Sequence, residues 1–268
     1  QIGDRPQLLL LDNNVLASPR LSRITSDIIE LGFARGAKVA GRQREVDFNQ
    51  GLDARLVNAT TIGYLAELPL KPIRIAYDTI GEAATFEKAV RLVASVGFTD
   101  VSNYMLYNFD DSPEDLWTRL HHCVELGEKL DVKIWSFPMR YVPIDTSVRQ
   151  HVGRHWSRRL LRGIQCISLV TRGVISARHD FFHKAFGEST EEILEILSMP
   201  DDYIIHRARH EDNGAEQWRV VFRSLTGEER AQLLETLSLG REGVLQARQN
   251  MELSPRLSTI LAHYVQDT

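Results

Sequence analysis

Five short apolar runs constrain this chain more than anything else in it. Each ends on polar residues, and the first four lead into a helical repeat. They occupy residues 7–11, 45–50, 73–77, 101–107 and 132–137. Their starts recur at intervals of roughly 30 residues, the length of a strand, a crossover helix and two loops. The first run, at 7–11, is apolar without alternation, as expected of a strand covered on both faces. Parallel α/β architecture follows. Strand order, and whether the sheet closes, do not follow from periodicity.

The intervening segments carry helix signals. Ser18-Pro19 offers a cap and a first-turn proline before Leu21, Ile24, Ile28, Ile29 and Phe33, with Gly36 as the stop. Asn58 caps a short helix carrying Ile62, Leu65 and Leu68, closed by Pro69 and Pro72. A third runs through Phe86, Ala89, Val90 and Val93 to Gly97. A fourth opens at Ser112-Pro113-Glu114-Asp115 and buries Leu116, Leu120, Cys123 and Val124.

After Asp145 the alternation stops. Residues 1–145 therefore read as a β/α domain and 146–268 as a mostly helical extension. The extension begins with a basic stretch containing Arg149, Arg154, Arg158, Arg159, Arg162, Arg172 and Arg178. These arginines either touch phosphates, as in a nucleic-acid binder, or form solvated faces and ion pairs. Phe181, Phe182, Ala185 and Phe186 form an aromatic stripe ended by Gly187. Helices are predicted over 191–197 and 228–239, with an exposed polar loop around 211–216.

Composition excludes several classes. A net charge of −4 over 268 residues is neither that of a disordered chain nor that of a strong polyanion binder. No apolar run approaches the roughly 20 residues that span a bilayer, so no membrane partner is expected. The two cysteines, Cys123 and Cys166, exclude a disulfide framework and any cysteine-rich cluster site within this chain. They fit idle thiols in a reducing cytoplasm. The pairs His151/His155, His179/His183 and His206/His210 have the i, i+4 spacing that puts two imidazoles on one helix face. No acidic third ligand stands at a diagnostic spacing, although Asp180 is adjacent to one pair, so they read as ordinary histidines and no metal ligand is assigned.

The strand ends hold the candidate site: Asp12, Asn13 and Asn14; Asn49, Asp53 and Arg55; Asp78; Asn108; Arg140. A parallel β/α fold brings such residues to one rim, where ligands bind. Carboxylates there accept from ammonium or ribose hydroxyl groups, arginines hold carboxylates or phosphates, and amides read a base edge. A zwitterionic, ribose-bearing ligand suits the set. The competing reading is that these residues cap helices and satisfy loop backbone.

In order and spacing, the segments Leu8-Leu9-Leu10-Leu11-Asp12-Asn13-Asn14, Phe48-Asn49-Gln50-Gly51-Leu52-Asp53-Ala54-Arg55, Ile73 to Asp78, Tyr107 to Asp115 and Pro138-Met139-Arg140-Tyr141 resemble successive strands of radical S-adenosylmethionine (radical SAM) proteins. The resemblance covers roughly residues 7–143. It implies strands 2–6 of an open, partial TIM-type (β/α)6 barrel. In that family a [4Fe-4S] cluster, on a Cys-x3-Cys-x2-Cys loop after the first strand, cleaves S-adenosylmethionine to a 5′-deoxyadenosyl radical. By resemblance, Asp12, Asn13 and Asn14 lie where the methionine amino group is held, and Asp53 and Arg55 face the cofactor or substrate. Asp78 lies near the ribose or methionine carboxylate, and Asn108 and Arg140 near the adenine or substrate. The 181–187 and 199–200 segments resemble the family's helical extension.

The three-cysteine loop has no counterpart here, so the cluster cannot be bound by this chain alone and the polypeptide is expected to be catalytically silent. The start at Gln1 points to the carboxyl-terminal part of a longer enzyme acting on an unknown substrate. The alternative is a non-catalytic binding protein of the same fold, using the 149–178 segment on a nucleic acid. Lacking a first strand, the sheet is expected to expose an edge prone to self-association.

Overall fold

The computed structural model describes residues 4–11, 13–145, 150–176, 178–249 and 253–265. In chain order the elements are β1 (Gln7–Leu10), α1 (Leu21–Glu30), β2 (Lys38–Val39), β3 (Arg42–Gln43), β4 (Glu45–Phe48), α2 (Ala59–Leu65), β5 (Ile73–Arg74), α3 (Ala83–Ser95), β6 (Asp100–Tyr107), α4 (Pro113–Leu130) and β7 (Lys133–Arg140). Helices follow: α5 (Arg158–Thr171), α6 (His179–Phe186), α7 (Thr190–Ser198), α8 (Asp201–Ile205), α9 (Arg207–His210), α10 (Glu216–Ser224), α11 (Gly227–Ser238), α12 (Gly240–Arg248) and α13 (Pro255–Ala262). Two compact units result, each discontinuous in sequence. The first takes the chain up to Leu106 together with Thr118–Met139 and Ile175–Phe182. The second takes Tyr107–Trp117, Arg140–Val174 and the chain from His183 onward.

In the first unit all five predicted strands form. β1 pairs parallel with β4, and β5 pairs parallel with β6. β4 is joined to β5 by parallel bridges at Val46–Leu70 and Leu52–Ile75. β7 follows β6 with Lys133 N donating to Thr99 O at 2.8 Å. The strands therefore lie in sequence order, and no closed barrel forms among the described residues. Asp47 and Arg74 pin the register of β4 against β5 through two hydrogen bonds of 2.9 and 2.8 Å. Val46, Ile75, Val101 and Met105 on the sheet, with Phe86, Ala89, Val90 and Val93 of α3, are fully buried and make up much of the core.

Several expectations are corrected here. β1 is not covered on both faces: Leu9 and Leu11 are 55% and 70% exposed, and among the described residues β1 pairs with β4 alone. Helix α1 ends at Glu30 rather than near Gly36. Gly32, at φ +90°, lets Phe33 N return to Ile28 O at 3.1 Å and closes the helix one turn early. A small antiparallel hairpin, β2 with β3, was not foreseen. Ala40 and Gly41 both sit at positive φ, as a two-residue hairpin turn requires. Ile175 adds an antiparallel bridge to Ser136 of β7.

Two helix starts follow their sequence signals, while α1 does not: it begins at Leu21 with Arg20 at the cap position and no side-chain cap, so Ser18 and Pro19 precede it and Ser18 Oγ accepts from Arg20 N at 3.2 Å. Asn58 and Thr61 form a reciprocal capping box at α2. At α4, Ser112 Oγ accepts from Asp115 N at 3.2 Å, and Asp115 Oδ2 accepts from Ser112 N at 3.1 Å.

The second unit is helical, organised on α5. Leu160, Leu161, Ile164 and Ile167 are buried, as are Ile193, Ile196 and Leu197 of α7 and Trp218 of α10. Gly163 permits the closest approach: a Cβ there would lie 2.6 Å from the Leu197 carbonyl oxygen and 2.7 Å from its Cα. Gly163→Ala is expected to lower stability by about 2 kcal/mol, because backbone rather than a movable side chain stands in the way. Urea denaturation reads this directly, and an unchanged midpoint would contradict the packing described. The segment around 211–216, read as a loop, continues the helical path of α9 into α10 with a break at Asn213 and Gly214. Gly214 sits against Tyr203, whose hydroxyl would lie 2.5 Å from any Cβ.

Candidate functional site

The first unit carries a pocket of about 220 Å³ where the chain leaves the carboxyl ends of β1, β4 and β5. Its polar lining is Asn13, Asn14, Gln50, Asp53, Arg55, Asp78, Glu82 and Thr85. Each is held there by local structure. Buried Val15 and Leu16 form a 3-10 turn that fixes Asn13 and Asn14 beside the end of β1. After β4 the chain reverses at Gly51, whose φ of +87° only glycine adopts freely. Leu52 N then donates to Arg74 O at 2.7 Å, which ties the loop to β5.

Asp53 follows. It caps the turn Ala54–Leu56 and grips the Arg55 guanidinium through Nε at 2.9 Å and Nη2 at 2.7 Å. That hydrogen-bonded pairing holds the Asp53 carboxyl below its ordinary range.

Asp78 is different. Burial raises its pKa, and the nearby negative charge of Glu82 adds to the rise. The hydrogen bond from Leu106 N, at 3.0 Å to Oδ1, and the positive charge of Arg119 oppose it. Oδ2 has no hydrogen-bond partner among the described residues. Glu82 accepts from the backbone N–H groups of Asp78 and Thr79 at 3.1 and 3.2 Å, which fixes the entry to α3. Arg119 is fully buried and donates through Nη1 to the carbonyls of Tyr77 and Leu106 at 3.1 and 2.9 Å, so it locks the strand ends behind Asp78.

Three carboxylates (Asp53, Asp78, Glu82) thus face one guanidinium (Arg55) in the lining, a formal excess of two negative charges. Such a pocket favours a cation, while its amides and carboxylate oxygens can bind hydroxyl groups. Its volume is below the usual range for a whole drug-sized ligand, so it suits one end of a nucleoside-sized molecule.

The predicted set divides. Asn13, Asn14, Asp53, Arg55 and Asp78 come together. Asn49 stands outside the lining, its backbone N–H donating to Leu10 O at 3.2 Å. Asp12 lies outside the described residues. Asn108 and Arg140 belong to the second unit. There Asn108 is fully buried at φ +70°, and its whole amide is engaged with backbone. Nδ2 donates to Tyr141 O at 3.1 Å and His151 O at 3.2 Å, and Oδ1 accepts from Gly153 N at 2.8 Å. This geometry is the loop-fixing alternative. Arg140 donates to His151 O at 2.8 Å and lines a separate cavity.

Sequence reasoning missed Glu82 and Arg119. Both left signals: Thr79-Ile80-Gly81-Glu82 has the spacing of a capping box, and Arg119 falls in the buried stripe of Leu116, Leu120 and Cys123.

The remaining candidates are simpler. Only the His179/His183 pair shares one regular helix, α6, with the His121 ring 5.9 Å from that of His179. His151 and His155 lie on irregular chain, and His206 is the break between α8 and α9. Among the described arginines of the basic stretch, Arg159 and Arg162 share Asp201, Arg154 faces Asp110 and Arg178 faces Asp180. No helix among the described residues is long and apolar enough to cross a membrane. Comparison of the chain with protein-family models, with curated proteins and with solved structures gives no match.

Proposed function

We propose that the strand-end pocket of the first unit binds S-adenosylmethionine through its amino-acid and sulfonium end, and that the parallel strands correspond to strands 2–6 of a radical SAM partial barrel. The observation that carries this reading is the charge of the lining. Asp53, Asp78 and Glu82 against Arg55 give a negative, amide-edged pocket at the carboxyl ends of parallel strands. S-adenosylmethionine brings an ammonium, a sulfonium and a carboxylate on a short chain. Arg55 offers a partner for the carboxylate, and the free oxygen of Asp78 one for a cation.

The cluster of that family does not fit this chain. In that family the [4Fe-4S] cluster is held by three thiolates on one loop, whereas this chain has two cysteines, far apart in sequence. Cys123 is buried, accepts from Asn103 Nδ2 at 3.2 Å and has its pKa raised to about 12 by burial. Cys166 is also buried and raised to about 11 for the same cause. Neither thiol is poised as a ligand. Ligand binding, not radical chemistry, is therefore the activity proposed for this polypeptide, and its substrate in any larger enzyme is left open.

The test is a calorimetric titration with S-adenosylmethionine and with S-adenosylhomocysteine, which lacks the sulfonium charge. The first is expected to bind at least tenfold more tightly, about 1.4 kcal/mol. Equal affinities would remove the charge argument, and binding of neither would overturn the proposal.

A further inference from the structure

The second unit contains a cavity of about 320 Å³ beside the start of α5, and its polar lining is Arg140, Arg158, Arg162, Gln150 and Gln165. Val152 and Leu161 supply the rest, and among the described residues no carboxylate lines it. We propose that this cavity binds the phosphate of a small phosphomonoester, such as a sugar phosphate. The inference does not depend on the pocket of the first unit or on its ligand.

Four features converge on an anion. Arg140 is anchored through Nη2 to His151 O at 2.8 Å, and its Nε is a buried donor with no partner among the described residues. An unanswered guanidinium N–H is costly unless a ligand accepts from it. Arg158 is the first residue of α5, exposed, with no hydrogen bond or ion pair among the described residues. Arg162 is oriented by Asp201, which takes its Nε at 2.7 Å, while Nη1 reaches Gln165 at 3.5 Å. Because Arg159 shares the same carboxylate at 2.7 Å, two guanidiniums face a single negative charge and the cluster stays cationic. Four arginines against one aspartate leave a formal excess of three positive charges.

The helix adds to this. Ser157 Oγ caps Leu160 N at 3.2 Å and Ser157 O takes Leu161 N at 3.0 Å. The N–H groups of the two residues before them stand at the positive end of a 14-residue helix. Guanidinium forks, amides and a helix start suit a dianion with three acceptor oxygens better than a single carboxylate. The space exceeds that of bare phosphate, and Val152 and Leu161 offer apolar contact to the body of an ester. A nucleic-acid strand fits less well. It would call for a longer stripe of available cations, whereas Arg154 and Arg178 each already face a carboxylate of their own.

The experiment is calorimetry on the full chain with inorganic phosphate, ribose 5-phosphate, ribose and a single-stranded oligonucleotide, repeated on Arg158→Gln. Arg158 is exposed, so folding is expected to be unchanged by circular dichroism. Ribose 5-phosphate is expected to bind at least tenfold more tightly than inorganic phosphate, with ribose silent, and Arg158→Gln to weaken it at least tenfold. Binding of neither phosphate compound would overturn the proposal, as would equal affinity in the variant. An oligonucleotide that binds with a steep salt dependence and is not displaced by ribose 5-phosphate would also overturn it, in favour of a strand-binding surface.

Discussion

An Asp78→Asn protein is expected to bind S-adenosylmethionine about a hundredfold more weakly than the parent, roughly 2.7 kcal/mol, while melting at a slightly higher temperature. The two effects share one cause. Asp78 is half-buried, and burial raises its pKa by penalising the charged form. The carboxyl therefore contributes full stability below its ordinary pKa near 4, and that contribution falls as pH climbs through the raised value. Asparagine keeps an oxygen for Leu106 N, which lies 3.0 Å from Oδ1, and removes the buried charge. The stability gain of the variant should therefore be smallest under acid conditions and grow toward neutrality, reaching roughly 2–4 °C if it amounts to about 1 kcal/mol.

Affinity moves the other way, because a neutral amide lacks the full negative charge that draws an ammonium or sulfonium. Calorimetric titration and thermal melts at pH 3.5 and pH 7 check both halves. Lost affinity with lost stability would mean that Asp78 serves the fold. Gained stability with unchanged affinity would remove it from the site. A group that weakens the fold and strengthens binding is what a functional position looks like.

Asn108→Ala should produce the opposite pattern. It leaves three backbone groups without their side-chain partner, those of Tyr141, His151 and Gly153, and puts alanine at φ +70°. At about 1 kcal/mol for each hydrogen bond, the loss is about 3 kcal/mol. Asn108→Gly should recover up to about 1 kcal/mol of it, since glycine accepts the left-handed backbone. Guanidinium denaturation of the three proteins gives the comparison. A neutral Asn108→Ala would show that the amide is held ready for something other than its loop.

The contrast between Asp78 and Asn108 marks how far sequence reasoning reached. Both end a strand with a polar residue, and nothing in residue type separates one side chain that lines a pocket from another engaged entirely with backbone. The strands themselves were legible, because apolar runs bounded by capping signals recur at regular spacing. Coverage was not. The run Leu8-Leu9-Leu10-Leu11 looks like a buried strand, yet Leu9 and Leu11 face outward, since a short apolar run carries no information about its second neighbour.

The two-residue hairpin turn escaped for a related reason. Lys38 to Gln43 has little β-propensity, and its pairing rests on the positive φ of Ala40 and Gly41. Arg119 and Glu82, by contrast, could have been found. A charged residue inside an apolar helix stripe and an acid three places after a threonine are both physical signals, and both turned out to shape the pocket.

The hairpin also has a practical use. Its tip is exposed, and a side chain placed on Gly41 would meet nothing within 4 Å. It precedes the amino end of β4, whereas the pocket of this unit lies where β4 delivers its carboxyl end. A fluorophore or a short epitope spliced between Ala40 and Gly41 would therefore report on the unit while leaving the ligand-facing end untouched.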